Sequence, residues 1–185
     1  MMAAIRNKDL DVDLRDIKAL KPRIKIRNIP KDEDNIVDQM VDRNDYLNEE
    51  NKNDLKVIFT INKGHKKDVV VQCSPGMRKL LRDKGDKVKL DWEVSEVEDF
   101  FLPTICYKCQ GYGHTQRKCN YNKVCRKCSS TEHETQDCQI DHTDFKCVQC
   151  VKAKRDANHE ANDTKICKSY QEAIKRVIQR TNNGS

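Results

Sequence analysis

Long apolar runs are missing from this chain. No stretch supplies the roughly 20 mostly apolar residues that a membrane-spanning helix needs. The opening Met-Met-Ala-Ala-Ile-Arg-Asn-Lys has no apolar signal core. The expectation is therefore a protein of the cytoplasm or nucleus, neither secreted nor held in a membrane. Hydrophobic residues are scarce as well, at 36% of 185, equal to the 36% that are charged. That balance argues against one large core and favours one or two small domains. Cysteine is nearly absent before Cys106, where only Cys73 occurs, yet nine of the ten cysteines fall between Cys106 and Cys167. An even spread would suggest a secreted disulfide scaffold; a cluster without a leader points to reduced thiols and a metal. Also missing are a glycine-rich phosphate loop, a His–Asp–Ser set and a recognisable carboxylate pair, so no enzymatic chemistry is expected.

The cysteines that are present follow a pattern. Cys106, Cys109, His114 and Cys119 read C-x2-C-x4-H-x4-C, and Cys125, Cys128, His133 and Cys138 repeat it with identical gaps. Zinc binds thiolate and imidazole in a tetrahedron, and four protein ligands leave no open position for water, which makes such sites structural. A third set, Cys147, Cys150, His159 and Cys167, has gaps of two, eight and seven. Including it uses every cysteine except Cys73 and completes three four-ligand sets, so up to three Zn²⁺ are expected. His142 is the rival to His159, but stands too close to Cys138 to fit the pattern.

Charge is unevenly placed. Residues 1–103 hold 21 Lys/Arg and 21 Asp/Glu, whereas residues 104–185 hold 15 and 9 and carry the whole net charge of +6. Each Zn²⁺ with three thiolates would contribute about −1, so the local distribution matters more than the total. From Cys106 to Thr131 there is no acid. That span carries Lys108, Arg117, Lys118, Lys123, Arg126 and Lys127, with Tyr107, Tyr112 and Tyr121 among them. Cations interleaved with aromatics suit a single strand of RNA or DNA, the cations on phosphates and the rings on bases. The tyrosines could equally pack on one another to cover so small a fold. The second repeat has an acidic C-terminal half, so a strand would track the first repeat, the Asn120–Val124 linker and the front of the second.

Before the cysteines lies a region of different rhythm. Residues 1–21 form an ambiguous lead-in, with Leu10, Leu14 and Ile17 at helical spacing. Arg23–Pro30 alternates apolar and polar and predicts a strand. Asp32 or Asp34 is placed to cap a helix with Ile36, Val37, Met40 and Val41 on its apolar face. Asn44–Asp54 reads as a polar loop. Leu55–Asn62 and Asp68–Cys73 read as strands joined by a turn at residues 63–67. Ser74-Pro75 is an N-cap followed by a first-position proline, opening a helix with Met77, Leu80 and Leu81 inward. Lys87–Val94 reads as a fourth strand with Val88, Leu90, Trp92 and Val94 inward. Residues 93–98 are acidic, and 99–103 lead into the first repeat. Phe100 and Phe101 either seat the first repeat on this domain or cap its core. Ser169–Arg180 predicts an amphipathic helix with Tyr170, Ile174, Val177 and Ile178 on one face, and Thr181–Ser185 a disordered end.

The order βαββαβ over residues 22–98 is the split-βαβ arrangement of ferredoxin-like folds, and among RNA binders that of the RRM. The Ile24–Ile29 strand resembles the RRM's first-strand motif, yet Lys25, Asp68 and Val70 stand where stacking aromatics belong. The sheet therefore reads as a degenerate RRM, serving protein contacts, spacing or RNA. The expected chain is α+β: residues 22–98 RRM-like, 104–139 tandem knuckles, 145–168 a looser third site, and 169–185 a helix and tail. With the runs Cys106-Tyr-Lys-Cys-Gln-Gly-Tyr-Gly-His114 and Asn158-His159…Cys167-Lys-Ser-Tyr170, the chain resembles the Gag-like first-reading-frame proteins of jockey/I-type non-LTR retrotransposons. Members usually carry a longer N-terminal region and a shorter Cys-to-His gap at the third site. The resemblance implies an RNA-coating nucleic-acid chaperone, a partner of a separately encoded reverse transcriptase and capable of self-association. The alternatives are, from another class, a structural or adaptor protein using its knuckles and sheet for protein contacts, and a host-adopted RNA-binding protein.

Overall fold

The computed structural model describes residues 19–91 and 93–184, and the chain is α+β. Five strands form one antiparallel sheet in the order β2-β3-β1-β5-β4: β1 is Arg23–Pro30, β2 Lys56–Lys63, β3 Lys66–Gln72, β4 Lys87–Lys89 and β5 Val94–Asp99. Between them run α1 (Ile36–Arg43), the short α2 (Glu49–Lys52) and α3 (Pro75–Asp83). Alternation decides which side chains go in: Ile24 and Ile26 of β1, Val69 and Val71 of β3 and Val97 of β5 meet Ile36 and Met40 of α1 and Met77 and Leu81 of α3 in one core. Cys73 ends this core row, and burial pushes its thiol up to about 12, so it is an inert apolar-like side chain. Ser74 caps α3 as its sequence predicts, its hydroxyl accepting from Met77 N–H at 3.1 Å, with Pro75 in the first turn.

Four readings of the sheet region change. Neither Asp32 nor Asp34 caps α1. Asn35 takes that position in a left-handed conformation with no side-chain bond, and Asp34 faces Lys67 at 3.5 Å. The loop after α1 holds α2, closed by a reciprocal Asn48–Asn51 capping box. The expected strand 87–94 is broken. Val88 and Leu90 do point inward, but Val94 is 56% exposed and the chain turns back, so that β4 pairs only with β5. Trp92 lies outside the described residues, as do Leu10, Leu14 and Ile17. The fourth partner is β5, which pairs β1 through Ile24–Asp99, Lys25–Glu98 and Ile26–Val97. Its acidic composition hid it: only Ser95 and Val97 face inward, too little apolar alternation to register as a strand.

Phe100 lies outside the core cluster. It folds over the outer sheet face, edge-on to Phe59 with centroids 5.8 Å apart and with the Lys25 ammonium 5.9 Å from its centre. Lys25 also pairs with Glu98.

The second half carries α4 (Val148–Lys152) and α5 (Lys168–Arg180). The end expected to be disordered is docked as far as Gly184. Leu20 N–H donates to Arg180 C=O at 2.8 Å and Asn182 N–H to Leu20 C=O at 3.1 Å. Arg82 reaches Asn183 C=O at 3.3 Å. Gly184 has φ +71° against α3, where a Cβ would collide with the carbonyl of Pro75. Among the described residues no helix is long and apolar enough to cross a membrane.

Candidate metal centres

The three ligand sets converge as their spacing predicts. In each of Cys106/Cys109/His114/Cys119, Cys125/Cys128/His133/Cys138 and Cys147/Cys150/His159/Cys167, the donor atoms all lie within 4.8 Å of one another. The first two are built alike. Cys106 N–H donates to Gly111 C=O at 2.8 Å and Gln110 N–H to Cys106 C=O at 2.7 Å. In the second, Cys125 N–H donates to Ser130 C=O at 2.8 Å and Ser129 N–H to Cys125 C=O at 3.0 Å. The residue after the second cysteine is left-handed in both, Gln110 at φ 57° and Ser129 at φ 66°. This tight turn is what a two-residue gap allows.

The third centre is built differently, which accounts for its longer gaps. Cys147 and Cys150 sit on the first turn of α4, and Cys167 caps α5 by accepting from Tyr170 N–H at 3.4 Å. His159 is buried at 6% exposure, whereas His142 stands exposed in a 3-10 turn. All four ligands of this centre are buried.

The donor sets fit a tetrahedral metal. Sulfur bonds of about 2.3 Å put S···S edges near 3.8 Å and S···N edges near 3.5 Å in a zinc tetrahedron. Here Cys147–Cys167 and Cys150–Cys167 are 3.8 and 3.7 Å. Cys109–His114 and Cys128–His133 are 3.4 and 3.3 Å. His159 Nε2 is buried without a hydrogen-bond partner among the described residues, an orphan that a metal would satisfy. The thiols within each of the first two centres divide in acidity: burial pushes Cys109 up to about 11 and raises Cys128. Burial alone would raise Cys106 and Cys125, but backbone N–H groups of Cys109 and Lys108, and of Cys128 and Lys127, hold each down to about 7. Cys167 is held lower, at about 4, first by its contact with the Cys147 thiol and further by Tyr170 N–H, His159 and the Tyr112 hydroxyl. The thiol of Cys147 is pushed up by the same contact.

The three centres interlock. Gln149 donates to Cys109 C=O at 3.2 Å, Asn162 to Gln110 at 3.0 Å, and Ala161 N–H to Arg126 C=O at 3.0 Å. These braces join the third centre to both repeats, and no local spacing in the sequence announces them.

They also redistribute the nine residues expected at a nucleic-acid surface. Tyr112 is turned inward: its ring meets Tyr170 edge-on at 6.2 Å and its hydroxyl lies 3.8 Å from Cys167 Sγ. Half-buried beside the third centre, it is not a free stacking face. Arg126 is committed to Glu160 at 3.2 Å and to Ala161 C=O at 3.1 Å, and Lys123 pairs with Glu134. Tyr107 and Tyr121 remain open at 66% and 64% exposure. Arg117 and Lys118 are exposed, Lys127 and Lys108 half-buried, the last reaching Cys119 C=O at 3.4 Å. Lys152, not foreseen, sits 5.7 Å from the Tyr121 ring centre.

Removing the Tyr112 ring should therefore cost folding stability rather than base contacts. For Tyr112→Ala the expected loss is about 2 kcal/mol, less than for a fully buried aromatic. It is read from denaturant unfolding of the metal-loaded protein. Tyr112→Phe should lose far less, because the ring contact with Tyr170 remains.

Comparison with family models, with curated proteins and with solved structures finds no match to this chain.

Proposed function

We propose that this protein is a zinc-dependent binder of single-stranded nucleic acid with a Gag-like role, coating RNA as a chaperone beside a separately encoded reverse transcriptase. The observation that carries the reading is the pairing of rigid, metal-ready turns with open aromatic rings. Tyr107 directly follows ligand Cys106, and its ring is 66% exposed. A ring held on a preorganised turn stacks on a base at low entropic cost. Tyr121, with Lys152 over its face, offers a second ring, and Arg117 and Lys118 supply exposed positive charge nearby in sequence. On this reading residues 22–98 are an RRM-like domain. The order β2-β3-β1-β5 with all pairs antiparallel agrees with a split-βαβ plan, β4 being an added edge hairpin.

The test is titration of the zinc-loaded chain with fluorescent single strands over a range of salt. With Lys123 and Arg126 tied internally, Lys108, Arg117, Lys118 and Lys127 remain for phosphates. At roughly −0.7 per phosphate these four contribute about −3 to the slope of log K against log salt. Tyr107→Ala should weaken binding roughly 5- to 150-fold, the equivalent of about 1–3 kcal/mol of stacking, with metal content unchanged. Tyr107→Phe should be nearly silent. Lys25→Ala should matter little, since Lys25 is engaged by Glu98 and Phe100; abolished binding would move the strand to the sheet.

One observation favours the adaptor alternative. Strand β2 is an open sheet edge, with Val57 44% exposed, and an open edge can receive a strand from another protein. A flat salt response, with Tyr107→Ala binding normally, would support that reading over the first.

A further inference from the structure

One cavity lies away from the three ligand clusters. It encloses about 410 Å³ where four parts of the chain meet: the start of β1, the segment 102–104, the tip of the first knuckle and the outer side of α5. A cleft of this size holds a nucleotide-sized group, at the lower end of ligand pockets generally.

Its charge is one-sided. Lys21 and Arg23 line it from the sheet domain, Arg176 and Arg180 from α5, and no Asp or Glu contributes to its wall. Among the described residues none of the four cations pairs with a carboxylate within 4 Å. The nearest acid on α5, Glu172, is held by Arg155 at 2.7 Å. Leu102, Pro103 and Val177 supply an apolar lining. Guanidinium groups bind phosphate with paired hydrogen bonds, and an apolar wall accepts a base.

The site exists only in the folded chain. The Leu20–Arg180 and Asn182–Leu20 hydrogen bonds bring residues 21 and 23 next to 176 and 180, and Gly113, in the knuckle loop, completes the wall. The first repeat thus forms one side of the cleft.

We propose that this cleft binds a nucleotide unit of the same single strand, its phosphate held by Arg176 and Arg180 with Lys21 and Arg23 opposite. The inference rests on the nucleic-acid reading above and extends the strand's path from the first knuckle onto α5.

The experiment uses the full, zinc-loaded chain and a fluorescent RNA single strand carrying 4-thiouridine. The wild type should photo-cross-link within residues 173–181. The double variant Arg176→Gln, Arg180→Gln should lose that cross-link, weaken binding about tenfold at low salt and make the salt slope shallower by about 1.4, two phosphates' worth. Both side chains are exposed, so its circular dichroism and metal content should match wild type. The Arg176→Lys, Arg180→Lys variant should keep the wild-type slope. An unchanged slope and cross-link in the Gln variant, while Tyr107→Ala still weakens binding, would overturn the cleft and leave the knuckle reading standing. A wild type that binds no strand would overturn both. If uridine monophosphate, or an oligoglutamate peptide, raises the melting temperature of wild type but not of the Gln variant, and strand binding is the same for both, the cleft serves a free nucleotide or an acidic partner and the strand path is wrong.

Discussion

Chelating the metal from the loaded protein should unfold residues 104–180 and leave the sheet domain standing. The reason is the size of the two apolar stores. The sheet domain has its own core, built from Ile24, Ile26, Met40, Val69, Leu81 and their neighbours, with no residue after Val97 in it. Around the first centre the buried cluster consists of Cys106, Cys109 and Cys119 alone. Around the third it is three cysteines, Ala157, Ala161 and Tyr170. Such clusters cannot offset the conformational entropy of ordering more than 70 residues, at roughly 1–2 kcal/mol each for the backbone. Metal binding can: apparent values of about 10–16 kcal/mol are typical of structural zinc in small fingers. Hydrogen exchange should show amides of 104–180 losing protection while β1 and β3 keep theirs. Metal analysis should find three ions per chain. Two ions would remove the third centre, and melting of β1 and β3 along with the knuckles would show that the two halves fold as one unit. The tail clasp at Leu20 should open with the knuckles, because α5 is capped by the ligand Cys167.

Truncating Arg78 should destabilise the sheet domain. Arg78 is 2% exposed and donates to Asp99 at 2.5 Å and to Asp86 at 2.5 Å. Burial would lower its pKa, but the two carboxylates outweigh this and hold it above its ordinary value. The pairing ties α3 to the end of β5 and to the turn before β4, where Asp86 is left-handed at φ 53° and its C=O accepts from Val97 N–H at 2.8 Å. Removing Arg78 leaves two carboxylates without their partner, but Asp86 and Asp99 are 38% and 30% exposed. Solvent therefore offsets part of the loss, and in place of the roughly 3–5 kcal/mol of a fully buried pair the cost is about 2 kcal/mol. Arg78→Ala should lose that much in urea unfolding. Arg78→Met combined with Asp86→Ala and Asp99→Ala should recover much of it, since no unpaired charge would remain. A loss below about 1 kcal/mol for Arg78→Ala would mean that the two carboxylates are well solvated without it.

What the sequence determined by itself was local. The two regular Cys/His repeats close within 14 residues each, so a gap of two and two gaps of four are enough to pick out clusters that could hold a metal ion. Tallying nine cysteines and three histidines also named the third set, including buried His159. Strand β1 alternates from Arg23 to Arg27, β3 carries the apolar run Val69–Val71, and Ser74-Pro75 is a start signal that needs no partner to be read. Only the tertiary structure decided the rest, because the deciding contacts lie far apart in the chain. β5 is a strand because β1 offers it hydrogen bonds, while its own residues are mostly acidic. Tyr112 faces inward because Tyr170 and Cys167, over 50 residues later, close around it. Arg126 is spent on Glu160 and Ala161, and Lys21 shares a cleft with Arg176 because the tail returns to Leu20. Periodicity and ligand spacing report what a segment prefers within a few residues. They carry no information on which distant group will satisfy a buried ring, a carboxylate or an edge strand, and here those distant partners set which aromatic and charged side chains stay open.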